Sequence, residues 1–175
     1  MSIEQHHQDR SSPESQQLQL VTFGVGSEEF AIDILQVQEI NRMMNLTRVP
    51  QSPASVKGVI NLRGRIVPVV NLRQCFDMDM VEHDQSSRIV VVDVEGQIMG
   101  FLVDRVHEVL RIDSDIVEFG TDLLKTTQKQ SYVKGIGKLE DRLLILLDLS
   151  RLIDTDDMQK IRQFSEQQQV TAQAA

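Results

Sequence analysis

The chain has 175 residues, 41% of them apolar, enough for one domain or two small lobes around a buried core. A formal charge of −8, the lack of a basic cluster, one Tyr and no Trp argue against a phosphate-tracking surface or a platform of stacking aromatics, so nucleic acid is not an expected partner. The single Cys75 rules out an intrachain disulfide, and no run approaches the ~18 apolar residues of a membrane span, so a cytoplasmic protein without direct membrane insertion is expected.

Residues 1–17 are polar and poor in aliphatics and read as a disordered N-terminal tail. From Leu18 the chain runs through short Val- and Ile-rich segments bounded by turn residues: LQLVTFGVGSEEFAIDI, then VQEI, then GVINL and RIVPVV. Such closely spaced strands are the signature of an all-β barrel or sandwich. Cys75, at the end of an apolar run, reads as a buried structural thiol. The folded part is expected over 18–155. Asp154, Asp156 and Asp157 then suggest the N-cap of a short helix with Met158, Ile161 and Phe164 inward, and 156–175 reads as that helix followed by a flexible tail from Gln167.

The sequence also repeats itself. At a shift of 69, residues 18–40 lie over 87–109 without a gap; at a shift of 77, VKGVINLRGRIVPVVNLRQCF (56–76) lies over VKGIGKLEDRLLILLDLSRLI (133–153). Two copies of one unit are therefore expected, about 18–80 and about 87–153. Each should have about five short strands and a helical turn after the last, with its sheet closed into a small barrel that removes exposed edges. Features present in both copies should serve the fold: Gly58 and Gly135 at tight turns, Leu62 and Leu139 inward. Features in one copy are free for function. Asn61, Arg63 and Gly64 of the first copy face Lys138, Glu140 and Asp141 of the second.

No enzyme signature emerges: no catalytic residues, cofactor-binding loop or metal site are expected. His6 and His7 lie in the N-terminal tail, His83 in a polar linker, and His107, in a strand, reads as a half-buried structural residue. Gly24 to Gly26 lack the third glycine and the following helix of a dinucleotide fingerprint and read as a hairpin turn. Asp154, Asp156 and Asp157 lack the loop geometry of a cation site.

EEFAIDILQVQEI, TRVPQSPASVKGVINLRGRIVPVVNLR and YVKGIGKLEDRLLILLDLSRLI resemble CheW, the adaptor family of bacterial chemotaxis, from about Leu18 to Ile153. The resemblance implies two SH3-like five-stranded β-barrels packed around a shared apolar seam. It also implies a non-enzymatic coupling protein joining the cytoplasmic tips of methyl-accepting chemotaxis proteins to the regulatory domain of the histidine kinase CheA, within membrane-associated receptor arrays. Alternatives are a CheW-like adaptor of another chemosensory system, controlling pili or biofilm, and a small ligand-binding barrel.

Val37 and Glu39 share one face of a strand and Gln38 and Ile40 the other; placing Ile40 inward leaves Val37 exposed. By resemblance, this strand contacts the receptor, giving Val37, Glu39 and Arg63 as receptor-binding candidates, and Gly58 and Ile66 are candidates for the kinase contact. Asn61, Leu62 and Gly64 form the motif turn. Glu39 is expected to pair with Arg63. The second copy, with Glu108 and Glu140 at the matching positions, is expected to lack such a pair.

Overall fold

The computed structural model describes residues 16–119 and 132–173. His6, His7 and most of the expected N-terminal tail lie outside them. Strands β1 (Gln17–Val25) and β2 (Glu28–Asp33) make a hairpin, and β6 (Arg88–Val94) and β7 (Gln97–Val103) make a second. Phe23 pairs with Phe30 in the first and Val92 with Met99 in the second, so the sequence shift of 69 holds for the ladder register. The other repeat behaves alike. In β4 (Val56–Leu62) and β5 (Arg65–Asn71) Ile60 pairs with Val67, and in β10 (Val133–Lys138) and β11 (Leu143–Leu147) Gly137 pairs with Leu144. Each pair is followed by one helical turn, α1 (Leu72–Cys75) and α2 (Leu149–Leu152). Asn71 and Asp148 cap these turns by accepting hydrogen bonds from the N–H groups of Arg73 and Ser150.

The remaining strands are β3 (Val37–Arg42), β8 (Arg105–Asp113) and the three-residue β9 (Val117–Phe119). The six-stranded sheet has the order β8-β1-β2-β11-β10-β9 and the five-stranded sheet β3-β6-β7-β5-β4. The all-β, double SH3-like barrel is as expected. Its assembly corrects one expectation, since neither copy closes its own barrel. The first hairpin of each copy sits in the sheet built by the rest of the other. A single 3-10 turn (Ile34–Gln36) carries the chain out of β2 and across to the other sheet as β3. There β3 pairs with β6, while β2 lies parallel to β11.

Apolar residues on the two faces of these strands divide into three clusters. Ile60, Val67, Val69, Ile89, Val91 and Leu102 fill the first barrel; Leu20, Ala31, Ile112, Val117, Leu144 and Leu146 fill the second. Between them lies the largest cluster, in which Phe23, Phe30 and Ile32 of one sheet meet Val90, Val92 and Phe101 of the other. Leu62 and Leu139 pack on the clusters of their own barrels, as expected of inward residues.

Helix α3 (Thr155–Gln173) is 19 residues long, so it continues through the segment from Gln167 that reads as a flexible tail. Asp154 Oδ1 accepts from the Asp157 N–H at 2.8 Å, the expected cap, and Met158, Ile161 and Phe164 are buried in the central cluster. At its far end the Gln169 amide accepts from the Ile66 N–H at 3.2 Å and donates to the Ile66 carbonyl at 2.5 Å. A side chain thereby satisfies a stretch of β5 that lies ahead of its ladder with β7, which begins at Val69.

Candidate interaction site

β4 and β5 are joined by Arg63 and Gly64, with φ of 53° and 84°, the two left-handed residues of a tight hairpin turn. Asn61 Oδ1 accepts from the Gly64 N–H at 2.8 Å. Asp93 does the same for Gly96 in the β6–β7 turn, also at 2.8 Å. Asn61 is therefore first a turn builder. The turn projects Arg63, 84% exposed, whose Nη1 lies 3.1 Å from Glu39 Oε2. Glu39 Oε1 also accepts from Asn41 Nδ2 at 2.8 Å, which fixes the carboxylate from a second side. Strands β3 and β4 end the strand order of the first sheet, so the expected Glu39–Arg63 pair ties together the barrel's two margins.

The second barrel corrects the expectation that it lacks such a pair. Arg142, the counterpart of Arg65, places Nη2 3.1 Å from Glu108 Oε1 and Nε 2.9 Å from Glu29 Oε2. Both barrels thus carry a Glu–Arg tie from the first sheet margin to the hairpin turn or its flank, using arginines two places apart in the repeat. A shared device is one the fold uses, so the Glu39–Arg63 pair cannot be assigned to function on uniqueness alone.

The face of β3 is also reversed from expectation. Val37 and Glu39 are both half-buried, and Val37 packs against the central cluster. Ile40 is 40% exposed. The ladder shows why VQEI misleads: Val37 pairs with Val92 and Glu39 with Val91, neighbours that point to opposite faces, so the bulge between them breaks the alternation that would put Val37 and Glu39 on one face. We expect Val37→Asp to lower the melting temperature by several degrees, since it puts a carboxylate beside that cluster. Ile40→Asp should leave it within about 2 °C, in line with a surface change of ±0.5 kcal/mol. Differential scanning calorimetry of the two variants checks the assignment.

A family model described as the CheW-like domain matches residues 19–157. The chain belongs to the CheW-like family. It is 35% identical over 140 residues to the chemotaxis protein CheW of Klebsiella aerogenes, covering 80% of this chain and 84% of that one. With CheW of Helicobacter pylori it shares 37% identity over 139 residues, covering 79% and 83%. The crystal structure of the scaffolding protein CheW from Thermoanaerobacter tengcongensis matches with a TM-score of 0.73 at 32% identity, covering 81% of this chain and 96% of that one.

In this CheW-like frame the two kinase-contact candidates are less open than expected. Gly58 is buried within β4 at a bulge rather than at a tight turn, and a Cβ there would lie 3.0 Å from both Leu46 Cβ and the Thr47 carbonyl oxygen. Its counterpart Gly135 occupies the equivalent bulge against Glu118 and Val117. Ile66 is half-buried against the central cluster, with its backbone groups engaged by Gln169. His107 is exposed, where the sequence suggested half-burial. Cys75 is half-buried, and burial foremost, aided by Asp157 and Asp77, pushes its thiol up to about 12, which keeps it protonated and unreactive.

Sequence reasoning missed an ion pair at the junction of the barrels. Arg73 of α1 donates from Nε and Nη2 to the two carboxylate oxygens of Asp104 at 3.0 and 2.6 Å, and Asp104 Oδ2 also accepts from the Gly26 N–H at 2.7 Å. Burial works to raise the Asp104 pKa. The Arg73 and Gly26 hydrogen bonds and the Arg73 and Arg105 charges outweigh it and leave the carboxyl below its ordinary value. A signal was present in the repeat: the counterparts of Arg73 and Asp104 are Ser150 and Leu35, so both charges occur in one copy only.

Proposed function

We propose that this protein couples the cytoplasmic tips of methyl-accepting chemoreceptors to the regulatory domain of the histidine kinase CheA, and that it is held by those contacts in membrane-associated receptor arrays. Membership of the CheW-like family over residues 19–157 carries the reading. The geometry supports it with a candidate working surface: exposed Ile40 on β3, with the Glu39–Arg63 pair beside the motif turn. Its role is adaptor rather than enzyme, raising kinase output by holding two partners at high effective concentration.

In this reading Glu39 and Arg63 set the receptor-facing strand and the Asn61–Gly64 turn in position. Val37 supports that strand from beneath. Ile66 and α3 together shape the kinase-facing end of the first barrel. An ion pair this exposed contributes only ~0–1 kcal/mol to stability, whereas a preorganised surface loses less on binding. Glu39→Arg and Arg63→Glu should each reduce receptor-dependent CheA autophosphorylation several-fold while melting stays nearly unchanged, and the double swap should recover part of the loss. The reconstitution uses receptor fragment, CheA and this protein, together and with each omitted. Full stimulation of CheA without receptor would reject the coupling reading. A double swap no better than the single variants would reject the pair.

A further inference from the structure

The loop after β3, the start of β4 and the segment that links the repeats enclose two adjoining hollows on the first barrel, of about 550 and 390 Å³, both walled by Arg48 and Lys57. In a chain of charge −8, no Asp or Glu lines either hollow among the described residues. Lys57 Nζ stands 2.8 Å from His83 Nε2, so the imidazole accepts a hydrogen bond from the ammonium and neutralises none of its charge. Arg48 is exposed and has no ion pair among the described residues. Burial first, then the Arg48 charge, pushes the Lys57 pKa below its ordinary value.

Beside Ser52, Gln74, Asn45 and His83, the remaining lining is apolar and adaptable. Met43, Met44 and Leu46 line the smaller hollow, and Met80, 53% exposed, borders the larger. Thioether side chains repack around varied apolar partners at low cost. Cations without counter-charges beside half-buried Met43 and Met44 and exposed Met80 match a chain that offers carboxylates and apolar side chains together. The acidic surface elsewhere repels such a chain and leaves this groove as its favoured landing place.

We propose that this groove docks an acidic, apolar-bearing segment of a partner protein, its carboxylates held by Arg48 and Lys57 and its apolar side chains by Met43, Met44 and Met80. The proposal stands on the groove alone and does not depend on the receptor and kinase assignments above.

Fluorescence anisotropy with a labelled twelve-residue peptide of repeating Glu-Glu-Leu-Leu tests it on the full chain. Expected are saturable binding to the wild type and a loss of at least about tenfold in affinity for Arg48→Glu, a difference near 1.4 kcal/mol. Arg48→Gln should give a smaller loss. Lys160→Glu, which makes the same charge change on the exposed face of α3, should bind like the wild type, and circular dichroism should show all three variants folded. Equal affinity for the wild type and Arg48→Glu, or an equal loss from Lys160→Glu, would overturn the groove as the site. A Glu-Glu-Ser-Ser peptide binding as tightly as the leucine peptide would reduce it to a bare anion site and overturn the proposal.

Discussion

Cut between its repeats, the chain should lose its fold in both pieces. A fragment of residues 1–84 keeps β3, β4 and β5 but lacks the β6–β7 hairpin that lies between β3 and β5 in their sheet. It also keeps β1 and β2 without β8 and β11, their partners on either side. Val90, Val92, Val94, Met99, Phe101 and Val103 would be withdrawn from the central cluster. At ~1.5–3 kcal/mol for each fully buried side chain, their loss is comparable with the entire ~5–15 kcal/mol that holds a domain folded. The fragment 85–175 suffers the reciprocal loss of Phe23, Phe30 and Ile32. Neither piece should show a cooperative thermal transition by circular dichroism. An equimolar mixture should regain both the β signal and the transition, because each piece supplies the hairpin that completes the other's sheet. A cooperative transition in either fragment alone would mean that one repeat can close its own barrel.

The repeat made the strands, their registers and the helical turns legible in the sequence, since the shifts of 69 and 77 reappear in the ladders. It could not reveal the exchange. Both hairpins carry the same apolar pattern, so either satisfies the hydrophobic demand of either sheet. The crossing is set by the 3-10 turn after β2 and by which neighbour pairs with β3. The face of β3 was lost for a related reason: simple alternation puts Val37 and Glu39 on one side, and the bulge between them, which only the ladder shows, breaks that alternation. Glu39–Arg63 was legible because Arg63 stands out against Glu140 of the second copy, although Glu39 is matched by Glu108. Lys57–His83 was not, because His83 lies in the linker, outside both matched blocks, and only the fold brings it to β4.

Gly58→Asp should be the most damaging single substitution considered for this chain, and for a reason that separates fold from binding. After β3 the chain returns over the bulge of β4, where Thr47 and Val59 exchange two backbone hydrogen bonds of 2.9 Å. A side chain at Gly58 would begin 3.0 Å from the Thr47 carbonyl oxygen, so this return must lift away, and an Asp would also bring a carboxylate against that oxygen with no donor to meet it. The expected cost is about 3 kcal/mol or more, a fall of about 6–12 °C in melting temperature for a chain of this size. Gly58→Ala needs only a few tenths of an ångström of adjustment and should cost about 1 kcal/mol. Gly135→Ala should cost more, because its Cβ would stand 2.8 Å from the Glu118 carbonyl oxygen and β9 is laddered to β10 through Gly135, Ile136 and Gly137. Urea denaturation of the three variants gives the order, and CheA binding measured well below the melting temperature of each gives the meaning. If Gly58→Ala retains binding while Gly58→Asp loses stability and binding together, the glycine acts through the 43–48 segment it lets pass. If Gly58→Asp melts like the wild type yet fails to bind CheA, the glycine belongs to the kinase surface itself, and the backbone crossing over it is not what the position protects.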